Sequence, residues 1–309
     1  MARNFRDLIE VRWAEGKFVC VGLDSEYEKI PEHLRASGNV VEALLHFNKG
    51  IVDATKDRVC AYKPNAAFYE ALGDVGWLAL RETIVYIRTV APEVPVIWDA
   101  KRADIGNTNL GYVKEAFEFL RADAITVHPF LGGEALQPFL DQKDKGIFVL
   151  CRTSNPGAGE FQGLTVAISM EEARYLHSVK VGYTVDSNGS RAFTSLSNHV
   201  AYQVSQSQRW NANGNCGLVV GATYPDELRD ARKIAGDMPI LIPGIGAQGG
   251  DTEKTVRAGK DSRGRGMIIN SSRGIIFASN GEDCFEAARR ETIRTSEGIG
   301  AFLEKGVSE

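Results

Sequence analysis

No apolar run in this sequence approaches the roughly 18 residues that a membrane-spanning helix needs. The first residues, MARNFRDLIEVRWAEGK, are charged throughout and carry no apolar stretch suited to a signal peptide. Cysteine is sparse, with five in 309 residues. Cys20, Cys60, Cys151, Cys216 and Cys284 form no C-x-x-C pair, and their odd number argues against a disulfide framework. The first four sit in apolar runs, as buried thiols do, which fits a reducing compartment. Together these absences predict a cytoplasmic protein. Basic excess is missing too: the net charge is −4, with no basic tail or helix. Nucleic acid and anionic membrane are therefore excluded as the main partner. His33, His46, His177 and His199 are scattered without metal-ligand spacing, so no metal site is expected. There is no G-x-S-x-G elbow, no P-loop and no low-complexity tract.

What is present is a rhythm. Short, near-continuous apolar runs recur at FVCVGLD (18–24), VCAYKPN (59–65), VPVIWDAK (94–101) and AITVHPF (124–130). They continue at GIFVLCRTS (146–154), CGLVVGAT (216–223), MPILIPGIG (238–246) and GMIINSSRG (266–274). Continuous rather than alternating apolar residues mark parallel strands covered on both faces. Between them lie amphipathic segments such as 39–56 and 225–236; the latter opens on proline and acids and ends at glycine, as helices prefer. A doubly wound open sheet is the alternative, but strand count and even spacing favour a (β/α)8 barrel, a single α/β domain over 1–309. One interval departs from the rhythm. Between the fifth and sixth of these runs the connection is long, and 181–194 predicts a β-hairpin around Asn188-Gly189. A helix is expected over 199–214. Residues 160–199 are read as an insertion within the barrel domain.

In such a barrel, chemistry gathers where the strands end. Those ends supply Asp24, Lys63, Asn65, Asp99, Lys101, Asp104, His128 and Ser154, then the stretches PGIGAQGGD and NSSRG. A lone aspartate after a strand is ordinarily a solvated loop residue or a cap, and Asp104 could cap a helix beginning near Ile105. Asp99 and Lys101 are different. Two apart on a strand, they share a face, and in a barrel strand that face is the interior. Buried charges persist only when paired, and Lys63 on the neighbouring strand is the natural third member. The glycines Gly244, Gly246 and Gly249 match G-x-G-x-x-G, but they come late and lack the following ribose-binding acid, so no nicotinamide cofactor is expected. A glycine loop after the seventh strand, with the eighth-strand loop beside it, suits a phosphate instead. Arg273 adds a charged fork there and Gln248 a neutral donor. Ser154 lacks a base and is read as a hydrogen-bonding residue rather than a nucleophile.

These residues carry a resemblance. DAKRADIGNT (99–108), VGLD (21–24), YKPN (62–65), TSNPGAGEFQ (153–162), VVGATYP (219–225), PGIGAQGGD (243–251) and NSSRGI (270–275) stand in the order found in the orotidine 5′-phosphate decarboxylase family, in its longer bacterial form. The resemblance implies a homodimer of (β/α)8 barrels that converts orotidine 5′-monophosphate to UMP and CO2 without a cofactor. It implies that Lys101 donates a proton to C6 and that Asp99 lies against the substrate carboxylate. Asp104, Ile105 and Thr108 would reach into the other subunit's site. Lys63 and Asp24 would hold ribose hydroxyls with help from Thr108, Ser154 would contact the pyrimidine edge, and Gln248 and Arg273 would grip the phosphate. Two departures stand out. The 160–199 segment is not mapped onto the family pattern, and His128 stands where the family often has asparagine. A relative handling a sugar phosphate on the same barrel, 3-keto-gulonate 6-phosphate decarboxylase or hexulose-phosphate synthase, shares the Asp-x-Lys-x-x-Asp string but uses magnesium. The Ile105–Thr108 continuation and the Ser154 loop argue against it. A non-catalytic nucleotide-binding barrel would keep the phosphate grip with a damaged charge array, whereas here the array is intact.

Overall fold

In a computed structural model that describes residues 3–245 and 250–304, the apolar runs are strands. Eight of them form one parallel sheet, in the order β2-β1-β11-β10-β9-β5-β4-β3. Their spans are β1 Val19–Leu23, β2 Val59–Pro64, β3 Ile97–Arg102, β4 Ala124–Val127, β5 Gly146–Arg152, β9 Cys216–Val220, β10 Ile240–Pro243 and β11 Met267–Ser271. The sheet closes into a barrel where β2 meets β3. That seam is thinly paired, by bridges Tyr62–Val96 and Asn65–Asp99 and by Tyr62 N donating to Pro95 O at 3.0 Å. Continuous burial along β1, β2, β4, β9 and β11 explains their unbroken apolar sequence, because barrel interior and helical layer cover opposite faces. β3 is the exception: its last three residues emerge from the core. All five cysteines are free and buried.

Helix Phe5–Ala14 crosses the N-terminal ends of the strands. Phe5 sets its ring edge-on against Phe148 at 5.5 Å. Trp13 Nε1 donates to Met267 O at 2.7 Å, and the buried Arg12 guanidinium donates to Val59 O. The opposite, C-terminal rim is left to the loops. No helix among the described residues is long and apolar enough to cross a membrane.

The expected 181–194 hairpin is present but small. β7 (Thr184–Val185) pairs with β8 (Ala192–Ser195), and Asp186 Oδ1 accepts from Ser190 N and Arg191 N across the turn. A third strand, β6 (Thr165–Ile168), pairs antiparallel with the other side of β8. Its short alternating run carries no local turn signal, since its partner lies far along the chain. The helix expected over 199–214 instead spans Leu196–Ser205. It starts early because Ser195 Oγ accepts from Asn198 N as a cap. It ends early because the following asparagines bond backbone outside the helix: Asn211 Oδ1 accepts from Cys216 N, and Asn215 Nδ2 donates to Leu140 O and Gln142 O.

Arg232, on helix Pro225–Ala235, is buried and donates to four carbonyls, Gly259 O, Gly236 O, Met238 O and Gly266 O, at 2.6–2.8 Å. Arg232→Met would remove the guanidinium donors from all four carbonyls, leaving Gly266 O only its bond from Ile240 N. A loss on the order of 3 kcal/mol is expected, read as a lowered urea midpoint; an unchanged midpoint would show that the guanidinium does not hold this end of the barrel.

Candidate functional site

At the C-terminal rim the barrel opens into a cavity of about 570 Å3. Asp24 after β1, Lys63 from β2, Asp99 and Lys101 from β3, Ser154 after β5 and Arg273 after β11 all line it. Asp99 is the node. Its Oδ2 accepts from Lys63 Nζ at 2.8 Å, and its Oδ1 accepts from Lys101 Nζ at 2.7 Å and Thr126 Oγ1 at 2.9 Å. Lys63 is 3% exposed and lies 3.9 Å from Asp24. The Lys63–Asp99 pair joins β2 to β3, the same two strands that form the sparsely bridged seam.

Burial opposes the ionised form of Asp99, but Lys63 and Lys101 outweigh it and hold the carboxyl below its usual range. Burial likewise opposes the ammonium of Lys63, and Asp99 with Asp24 reverses this and raises its pKa. Both groups are therefore charged across the neutral range.

Asp99 and Lys101 share the cavity face as expected, but the strand between them is not regular. The β3–β4 register shifts between Trp98 and Arg102, and Lys101 adopts a left-handed backbone with φ of 49°. A non-glycine residue there costs roughly 1–2 kcal/mol. With this backbone, Lys101 Nζ meets Asp99 Oδ1 at 2.7 Å. Lys101 is also not buried: its side chain is 48% exposed at the cavity mouth. Arg102 leaves the array to pair with Glu70 and Glu115 and to lie over Tyr112.

Asp104, Ile105 and Thr108 are not among the residues lining this chain's cavity. Ile105 is 61% exposed, and Thr108 is exposed beside it. Nor does Asp104 cap the helix, which runs Gly106–Val113 with Ile105 at its N-cap; Asp104 Oδ1 instead accepts from the adjacent Ile105 N. Asn109 secures this turn, accepting from Asp104 N and donating to Asp104 O. Gln248 lies outside the described residues, as do Gly246 and Gly249. On either side of them, Gly250 N donates to Gly244 O at 3.1 Å. Ser154 is seated by close approach: a Cβ at Gly221 would lie 2.7 Å from Ser154 Cα. His128 accepts from Phe130 N, a local structural contact.

Several lining residues went unassigned at the level of sequence, among them Thr126, Gln162 and Asn270. Thr126 had a signal, a hydroxyl inside an otherwise apolar strand. Asp24 Oδ1 and Asn270 Oδ1 are buried and accept no hydrogen bond from the described residues. Both are acceptors open to donors of a ligand, such as sugar hydroxyls. No group of three or more His, Cys, Asp and Glu among the described residues is placed to hold a metal ion.

Residues 17–288 match the model of the orotidine 5′-phosphate decarboxylase / HUMPS family. An orotidine 5′-phosphate decarboxylase of Herpetosiphon aurantiacus is 44% identical over 273 residues, covering 88% of each chain. The structure of Leishmania donovani OMP decarboxylase is similar with a TM-score of 0.76 and 36% identity, over 97% of this chain and 99% of that one. That of Leishmania donovani UMP synthase gives 0.78 and 36%, over 98% of this chain but 57% of the other, so this chain spans little more than half of that protein.

Asp99→Asn would strand Lys63 in the barrel, with an expected loss of about 3–5 kcal/mol. The sign of the pH dependence follows from the two shifts. Asp99, with its folded pKa depressed, contributes stability that is present above its unfolded pKa of about 4 and is lost as pH falls through the folded value. Lys63, with its folded pKa raised, contributes stability that is complete below its unfolded pKa of about 10.4 and is lost as pH rises through the folded value. The contribution of the pair should therefore be flat between about pH 5 and 9. Urea titrations across that window check this; a contribution that fades inside it would contradict the assignment.

Proposed function

The chain belongs to the orotidine 5′-phosphate decarboxylase / HUMPS family, and we propose that it decarboxylates orotidine 5′-monophosphate to UMP and CO2 without a cofactor, with Lys101 protonating C6. The observation that carries this reading is the Asp99 carboxylate held between Lys63 and Lys101 at 2.8 and 2.7 Å on the cavity floor and mouth. The 570 Å3 cavity is of a size for a nucleotide.

The C6–carboxylate bond breaks with its electron pair left on C6, as a vinyl carbanion with little resonance relief. CO2 departs neutral. The Lys101 ammonium stabilises the developing charge and gives C6 a proton, becoming an amine that regains one from water. Asp99 lies against the substrate carboxylate, and their repulsion fades as CO2 leaves; stabilisation by Lys101 is the larger effect. Lys63 and Asp24 hold ribose hydroxyls, a role supported by the open acceptor Asp24 Oδ1. Ser154 meets the pyrimidine edge, and Arg273 with Gln248 takes the phosphate. Binding energy from that remote phosphate serves catalysis by ordering the charged array.

The active form in this reading is a homodimer in which Asp104, Ile105 and Thr108 complete the partner's site. Their exclusion from their own cavity supports it, as do the exposed apolar Ile105, Leu110 and Phe119 nearby. The chain is read as one barrel domain with 160–199 inserted, acting in the cytoplasm, where its free, buried thiols would stay reduced.

The test is an absorbance assay of orotidine 5′-monophosphate consumption with and without EDTA. Full activity in chelator is expected, and loss of activity would instead favour a magnesium-dependent sugar-phosphate relative. Lys101→Ala should lower UMP formation by roughly 10³-fold or more with an unchanged circular-dichroism spectrum. Undiminished turnover in that variant would remove the mechanism.

A further inference from the structure

Thr126 is the polar interruption of β4, 1% exposed and lining the cavity. Its hydroxyl does two things at once. It accepts a hydrogen bond from Lys101 N at 3.0 Å and donates one to Asp99 Oδ1 at 2.9 Å. An undisturbed parallel ladder would give a β3 amide a β4 carbonyl as partner. Here the register shifts between Trp98 and Arg102, and the Lys101 amide goes to a side chain instead. Lys101 is at the same point in the left-handed region, with φ of 49°. One oxygen with one proton and free lone pairs serves both neighbours, which neither an alkyl group nor a carboxylate at this position could do.

We infer that Thr126 is a positioning residue of the active site: its hydroxyl holds the Lys101 backbone in the left-handed conformation and orients Asp99, so that Lys101 Nζ is aimed into the cavity. This rests on the decarboxylase reading above for its kinetic consequence, though not for its geometry. Thr126 touches the two charged residues, and its effect passes through them. An isosteric valine would keep the packing of β4 but leave the Lys101 amide without its acceptor and Asp99 with one donor fewer. The lysine would then relax toward ordinary backbone geometry, carrying Nζ off its line.

Thr126→Val, Thr126→Ala and Thr126→Ser separate this from a plain packing role. In Thr126→Val, kcat should fall roughly 30- to 100-fold with KM within about threefold of the parent, because a displacement near 1 Å at a reacting group has effects of that size. Thr126→Ser, which keeps the hydroxyl and loses only a methyl, should recover to within about fivefold of the parent. Thr126→Ala takes the place of the valine variant should that one fail to fold. A crystal structure of the hydroxyl-free variant should show Lys101 out of the left-handed region and its Nζ displaced from Asp99. Turnover unchanged in the valine variant, a serine variant as impaired as the valine one, or an unmoved Lys101 in that crystal would each overturn the inference. If the parent chain itself failed to consume orotidine 5′-monophosphate, the functional reading would fall, while the crystal comparison would still decide what Thr126 does.

Discussion

The Asp99 carboxylate is the interaction on which the site and part of the barrel depend. It sits where β2 and β3 close the sheet through few backbone bonds, and it binds an ammonium from each strand. Removing a carboxylate and an ammonium from water costs several kcal/mol per ion, so the pair persists only with good geometry and further hydrogen bonds. Thr126 supplies one such bond and Lys101 another. With these donors in place the seam is held by side chains where backbone pairing is sparse. The arrangement also leaves Lys101 Nζ at the mouth of a cavity that holds two acceptors, Asp24 Oδ1 and Asn270 Oδ1, with no hydrogen bond from the described residues.

The rest of the scaffold keeps this array in register. β1 brings Gly22 level with Lys63, and beside Gly22 there is no room for a side chain, since a Cβ would lie 1.9 Å from Ser272 Oγ. That close approach seats Ser272, just before Arg273, against the strand that leads into Asp24. On the opposite wall Gly221 admits Ser154 in the same way, and Thr223 Oγ1 donates to Ser154 O. Meanwhile Arg102, next to Lys101 in sequence, is drawn away from the cavity by Glu70 and Glu115. Four charges in seven residues are thus divided among the cavity, the helical layer and the turn at Asp104.

Much of this was legible from residue order. Continuous apolar runs marked the eight barrel strands because both faces of each are covered, and the charges at their ends marked the rim. The small β6–β8–β7 sheet was only half visible: the Asn188-Gly189 turn announces one hairpin, whereas β6 finds its partner some 25 residues later with no local cue. The helix after it was overextended because the periodic pattern runs on into asparagines whose side chains bond backbone elsewhere. Thr126 does interrupt an apolar strand, but a threonine there is also ordinary for its branched shape, and nothing local shows what its hydroxyl meets.

By itself, the order of residues determined which groups gather at the rim, since strand ends in a closed parallel barrel converge whatever the details of packing. Only the tertiary structure decided how they meet. The slip in register between β3 and β4 and the left-handed turn at Lys101 come from contacts across strands, and such contacts have no periodicity to betray them. The same holds for Asp104, Ile105 and Thr108. Their spacing places them one turn beyond the array, but the turn that carries them is tied through Asn109 to Ala135 O, a partner 26 residues away.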